Sequence, residues 1–252
     1  MLLSLATPSG RRSALPLVTR TLPQAELLHR SIVSRVGKGR RVHCPELTGR
    51  DDEGRPLRGG HRHAHILPIN LRGDAEGTPR LDHVLIHAPM GLSGPAQQAI
   101  RTLRETWTKR GVDLQVAFAG SGDLDVLRSL PAPFDRQVTR LLGPPGGSRV
   151  WQSLTPFVPP RFIKPRGINS LLGQINAELG SRGIDPVGET EILPAETIAL
   201  RHFVRVRQRG GTPPPCDTGF ALRLTFSRPV LGPLSLGYAS HFGLGLFGSC
   251  DR

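Results

Sequence analysis

Three histidines stand two residues apart in the stretch Gly59-Gly60-His61-Arg62-His63-Ala64-His65-Ile66-Leu67-Pro68. Ile66, Leu67 and, beyond the proline, Ile69 read as strand. Side chains alternate between faces along an extended chain. His61, His63 and His65 are therefore expected on one face, with Arg62, Ala64 and Ile66 on the other. Imidazole titrates nearest neutral pH, so such a row suits proton transfer or metal ligation. A solvated polar strand face has the same pattern and is the plain alternative. His29 and His241 are outside candidates for the same chemistry.

The row needs a scaffold. LDHVLIHAP, residues 81 to 89, reads as a second strand with His83, Leu85 and His87 on one face. Two strands joined by a short turn-rich segment predict an antiparallel hairpin, whose register the sequence leaves open. Ahead of them, Ala25, Leu28, Ile32 and Val36 recur at helical spacing behind Pro23. The basic Gly- and Asp-rich stretch from 38 to 60 reads as a loop. GPAQQAIRTLRETWTKRG, 94 to 111, reads as one helix with Ser93 as N-cap and a stripe of Ala96, Ile100, Leu103 and Trp107. VDLQVAFAG, 112 to 120, reads as a strand. No convincing strand precedes the first helix; Ala14–Val18 is at most a short extended piece.

Asp, Pro and Gly recur over 121–149 and break the pattern, and residues 126–149 are expected to link two units. Beyond them, RVWQSLTPF reads as strand, NSLLGQINAELGSRG as a helix capped by Asn169 or Ser170, and LRHFVRVRQRGG as a strand. TGFALRLTFSRPV reads as a further strand with Phe220, Leu222, Leu224 and Phe226 inward. The fold expected is α+β. It comprises tandem ferredoxin-like (βαββαβ, RRM-like) units over 1–125 and 150–252, the first without a legible first strand.

The chain has 252 residues and a net charge of +13. That charge favours a polyanionic partner, nucleic acid ahead of a membrane surface. The lysines are Lys38, Lys109 and Lys164, and the remaining positive charge is arginine, which suits bidentate phosphate contacts. Aromatics are 5% of residues, too few for base stacking to be the main mode of binding. Cys44, Cys216 and Cys250 form no Cys-x-x-Cys pair, so neither a cysteine zinc site nor a disulfide framework is expected. The N-terminus does not read as a signal peptide and no stretch spans a bilayer, which points to the cytoplasm. Two basic clusters are candidates for phosphate binding. Arg161, Lys164 and Arg166 lie in a Pro-rich turn, and Arg205, Arg207 and Arg209 on one face of the strand expected there. Binding carried by arginine predicts a steep loss of affinity with salt.

The chain closes on a glycine-rich run, Gly232 to Gly248. No Gly-Lys-Ser/Thr follows, so it is not a P-loop, and its spacing is not that of a dinucleotide fingerprint. Gly237-YASHF-Gly243-Leu244-Gly245-Leu246-Phe247 fits the pattern hydrophobic-Gly-x(5)-Gly-hydrophobic-Gly-hydrophobic-hydrophobic. That pattern is the hallmark of the repeat-associated RNA-binding superfamily of CRISPR systems. With GHRHAHILP (60–68), LDHVLIHAPMGL (81–92), SRVWQSLTPFVPPRFIKPRG (148–167) and LRHFVRVRQRGGTPPP (200–215), the chain resembles the C-terminal, Cas-six-like half of the Cas-five/Cas-six fusion subunit of type I-U (I-G) systems. The resemblance runs from about residue 14 onward.

The resemblance implies a metal-independent endoribonuclease that cuts the repeats of a CRISPR precursor RNA by 2′-hydroxyl attack, with no cofactor. Catalytic residues vary within this superfamily, so the resemblance does not choose among the histidines. The residue pattern itself points to His61, His63 and His65 for the acid and base, His63 and His65 ahead of His61 because they lie deeper in the expected strand, and to backbone amides at Gly237, Gly243 and Gly245 as further RNA contacts. Implied partners are the precursor RNA, the mature crRNA, a Cas-seven-like backbone and a large subunit. Family members carry an extra N-terminal Cas-five-like half, so the expectation is either a truncated reading frame or two separate halves, the second adding a separate Cas-five-like half to the partners. Two other functions fit the residues. One is a crRNA-binding subunit without catalysis. The other is a metallohydrolase using the histidine row, for which Asp74 and Asp82 are the nearest carboxylates.

Overall fold

The apolar run Leu2–Ala6 forms β1, the middle strand of a five-stranded antiparallel sheet. The first unit therefore has the first strand that its sequence did not reveal. This computed structural model describes residues 1–37, 43–58, 61–73, 77–107, 113–207 and 212–250. The chain divides into two units, Met1–Gly122 and Asp123–Arg252.

In the first unit, β1 is followed by α1 (Thr21–Gly37), a four-residue helix α2 (Pro45–Thr48), β2 (His65–Ile69) and β3 (His83–His87). Then come α3 (Gly94–Arg101), β4 (Glu105–Trp107) and β5 (Asp113–Gly120). The sheet order is β2-β3-β1-β5-β4, with every pairing antiparallel. Without β4 this is the βαββαβ ferredoxin order. α1 buries Ala25, Leu28 and Ile32, and α3 buries Ala96 and Ile100. Each fully buried Leu or Ile contributes about 1.5–3 kcal/mol relative to exposure. On the sheet, Leu3, Leu5, Ile66, Val84, Ile86, Leu114 and Val116 are all buried. Ser93 caps α3 by accepting from the Ala96 amide at 3.3 Å.

The helix expected over 94–111 stops at Arg101. Leu103 is buried as expected, but Trp107 is 48% exposed because it sits on β4, paired to β5. Thr102, Thr106 and Trp107 favour strand over helix, and Thr106 is buried against β5 opposite Leu114.

The second unit opens with α4 (Leu124–Arg128) and α5 (Asp135–Leu142), in the stretch read from sequence as a linker. Then follow β6 (Ser148–Ser153), α6 (Leu171–Gly180), β7 (Val187–Ile192) and α7 (Pro194–Ala199). β8 (Leu222–Val230), β9 (Leu234–Ser235) and β10 (Leu246–Ser249) complete the unit. Its sheet order, β7-β8-β6-β10-β9, repeats that of the first unit strand for strand. In both, the short strand before the last one pairs on its outer side. The chain is thus α+β with tandem ferredoxin-like units. The second unit differs in carrying the glycine-rich run where the second helix of a ferredoxin unit would be. Its core gathers Trp151, Phe157, Ile175, Leu179, Leu222, Leu224, Phe226, Leu236 and Phe247.

The strand expected over 200–211 is absent from the described residues. Leu200–His202 is a single 3-10 turn and residues 203–207 pair with no strand. The strand at that position in the topology is β7, whose sequence VGETEI is too charged to read as a core strand.

Candidate functional site

β2 begins at His65, so His61 and His63 precede the strand and do not form one face with it. The Gly59-Gly60 turn lies outside the described residues. The row breaks because the segment before β2 is held by other partners. The Ala64 amide donates to Glu46 O at 2.7 Å, and the Met90 amide to Arg62 O at 3.0 Å. His65 is buried at 6% exposure, and its Nε2 lies 3.1 Å from His61 O. His61 and His63 are half-buried and remain within reach of solvent. The depth that favoured His65 in the sequence takes its ring away from any large substrate.

Across the hairpin, register places His65 directly opposite His87 and Ile69 opposite His83. Burial pushes the His87 imidazole down to about 4, so it is neutral at physiological pH. His83 Nδ1 lies 2.8 Å from Asp82 Oδ1. Asp82 also accepts the amides of Leu71 at 2.8 Å and Arg72 at 3.1 Å. Burial alone would raise the Asp82 carboxyl. The His83 contact and these amides outweigh it and hold the group below the usual carboxylate range. Asp82 is thus committed to the turn between the two strands. Asp74, the other carboxylate considered as a metal ligand, lies outside the described residues.

α2 joins two further imidazoles. His29, half-buried on α1, places Nε2 2.9 Å from Leu47 O. The His63 ring packs on Gly49, which ends α2 with φ +67; a Cβ there would stand 2.8 Å from the ring. His29 and His63 therefore flank the same short helix. Glu46 of α2 is buried and accepts the Ser93 amide at 3.2 Å. Burial, with Glu46 beside it, pushes the Cys44 thiol up to about 12 and leaves it protonated. Among the described residues no three His, Cys, Asp or Glu side chains are grouped so as to hold a metal ion.

In the second unit, Arg161, Lys164 and Arg166 stand on a loop whose residues 161 to 168 are all exposed. The other arginine set does not form one face. Arg205 Nε donates to Asp217 Oδ1 at 2.8 Å, and its Nη1 to Arg201 O at 2.8 Å. Arg207 lies over the Phe242 ring, 4.6 Å from its centroid. Arg209 falls outside the described residues.

The glycine-rich run is seated by α6. Glu178 Oε2 accepts the Gly237 amide at 2.9 Å and Arg182 Nη1 at 3.1 Å; Arg182 Nη2 donates to Ser240 Oγ at 3.2 Å. Burial lowers the Arg182 pKa while Glu178 opposes that shift. Gly237, Gly243 and Gly245 are buried and have φ of +87, +83 and +58. The Gly243 amide donates to Ser240 O at 3.2 Å and the Gly245 amide to Pro156 O at 2.9 Å. All three amides expected to meet phosphate are therefore already bonded inside the unit. The glycines serve its backbone conformation, and Arg207 stacks on Phe242 of this run.

Sequence alone gave no reason to notice Gln174, Glu178 or Arg182, polar residues on an ordinary amphipathic helix. No protein-family profile and no curated protein matches the chain. Among solved structures, the chain is similar to a Cas6 product complex, with 16% identity, 98% of this chain and 97% of that one covered, and a TM-score of 0.40. It is also similar to Csf5, a CRISPR-Cas type IV Cas6 crRNA endonuclease, with 14% identity, 99% and 98% covered, and a TM-score of 0.35. Both likenesses are distant, and the fold rests on the strand order of the two sheets.

Proposed function

We propose that the chain binds and cuts the repeat RNA of a CRISPR precursor transcript. The observation that supports this reading most is the coincidence of motif and conformation in the glycine-rich run. The hallmark spacing puts glycine at 237, 243 and 245, and each of these residues has a positive φ that other residues adopt at a cost. The net charge of +13 and the exposed Arg161–Ile168 loop fit an RNA partner.

In the proposed reaction the 2′-hydroxyl loses its proton to a base and attacks the adjacent phosphate. An acid protonates the departing 5′-oxygen, and cations hold the charged phosphorane. His63 and His61 are the candidates for base and acid, because they are the more accessible of the three. His65 acts as a positioning residue through its contact with His61 O. The products are a 2′,3′-cyclic phosphate and a 5′-hydroxyl end, with no metal ion required.

The test is incubation of the purified chain with repeat RNA in excess chelator. The expected result is one cut per repeat, leaving a cyclic phosphate. RNA that is bound but left intact would favour the crRNA-binding role without catalysis. Activity lost to chelator and restored by zinc would favour the metallohydrolase. Absence of RNA binding would remove all but the last.

A further inference from the structure

The loop from Arg161 to Ile168 displays large apolar side chains to solvent. Phe162 is 68% exposed, Ile168 66% and Ile163 41%. An exposed aromatic is ordinary on a slack loop, but this loop is pinned. Gln174, fully buried on α6, holds both of its legs. Its Oε1 accepts the Arg161 amide at 3.0 Å, and its Nε2 donates to Asn169 O at 3.0 Å and Phe162 O at 3.5 Å. The Lys164 amide closes the loop on Asn169 O at 2.9 Å. Gly167 O sits so close over Gly173 that a Cβ there would stand 2.3 Å from it. A buried glutamine spent on an outer loop fixes the backbone from which the Phe162 ring projects.

We infer that Phe162 is a stacking platform for one unpaired nucleobase, with Arg161, Lys164 and Arg166 taking the phosphates on either side. The inference rests on the proposed RNA-binding function and adds to it a site for a single-stranded nucleotide. A ring that projects to solvent from a fixed backbone has only two side-chain torsions to order on stacking, and stacking accepts any base because each has a π-face. On the same exposed loop the cations Arg161, Lys164 and Arg166 are interleaved with the apolar Phe162 and Ile163, the two kinds of surface that a phosphate and a base require. The paucity of aromatics in the chain is consistent with one such platform and not a series.

The test compares two RNAs with the same stem, one blunt and one carrying a short single-stranded tail. Phe162→Ala should weaken binding of the tailed RNA by about tenfold and leave the blunt RNA unchanged. Phe162→Trp should restore the loss. Gln174→Leu, which frees the loop but keeps the ring, should give an intermediate loss on the tailed RNA alone. Equal affinities for wild type and Phe162→Ala on the tailed RNA would overturn the inference while leaving RNA binding intact. A chain that binds neither RNA would overturn the proposed function and this site together. Wild-type sedimentation with phosphatidylserine vesicles, abolished by Phe162→Ala with RNA binding untouched, would reassign the loop to a membrane surface. Phe162 is exposed, so the thermal midpoint of Phe162→Ala should match that of the wild type and serve as the folding control.

Discussion

His65 and His87 stand directly opposite each other across β2 and β3, with ring centroids 6.4 Å apart and planes tilted by 38°. Two imidazoles packed this closely cannot both take up a proton without repulsion, and burial already disfavours the charged form of His87.

Stability should therefore fall on acidification. An unfolded imidazole protonates near 6.5, whereas folded His87 protonates only near 4. Between those values the unfolded chain holds more protons, so acid favours unfolding. The stability carried by neutral His87 is complete above about pH 6.5 and is lost as pH falls toward 4, by at most about 3 kcal/mol. Urea denaturation across this window should show a shallower slope for His87→Leu than for the wild type. Equal slopes would place the acid sensitivity elsewhere.

The three histidines should separate by kind of defect. His63→Ala and His61→Ala are expected to lower the single-turnover cleavage rate by about 10²–10⁴-fold at unchanged RNA affinity. His65→Ala should lower the melting temperature, since its ring is buried, with a smaller loss of rate. A full rate loss in His65→Ala at wild-type stability would make His65 the reacting group.

Arg182 and Glu178 form a pair of which only 11% and 15% of each side chain is exposed. Removing one partner leaves the other charge buried, at a cost of about 3–5 kcal/mol. Arg182→Met is expected to destabilise the second unit by that order and to speed hydrogen exchange at the Gly237 amide. Replacing both, as Glu178→Gln with Arg182→Met, should recover part of the stability. A neutral effect of Arg182→Met in a thermal melt would contradict this.

Gly245 admits no side chain. A Cβ would stand 1.9 Å from Leu236 O, and φ is +58. Gly245→Ala should cost more than the ~1–2 kcal/mol of the left-handed conformation alone, because the backbone must also move. Gly10, also at positive φ but with open space around it, is the control: Gly10→Ala should show the conformational penalty only. Chemical denaturation of both variants tests the difference.

The elements that could be read from sequence were those whose local pattern and tertiary role agree. Ser93 and Ser170 cap helices as their spacing predicts, and β8 buries Leu222, Leu224 and Phe226 as its alternation predicts. Misreadings came where tertiary pairing decided the outcome. The alternation of Phe203, Arg205 and Arg207 is genuine, but Arg205 is bonded to Asp217 and Arg207 to the Phe242 face, so no ladder forms. β7 was hidden by Glu189 and Glu191, which suit an edge strand and not a core one. The histidine spacing is plain in the sequence. Its geometry was not legible, because residues 45–49 and 90, distant in sequence, fix the path of 61–64.

The shared strand order has a consequence for how the chain meets other proteins. Each sheet has a margin that offers little to a stranger's backbone. β9 has two residues, too few to template a long ladder. β2 carries Pro68, which has no amide proton to donate, and β7 is acidic and bulged between Val187 and Glu189. Self-association by sheet extension is thereby discouraged at β2, β7 and β9.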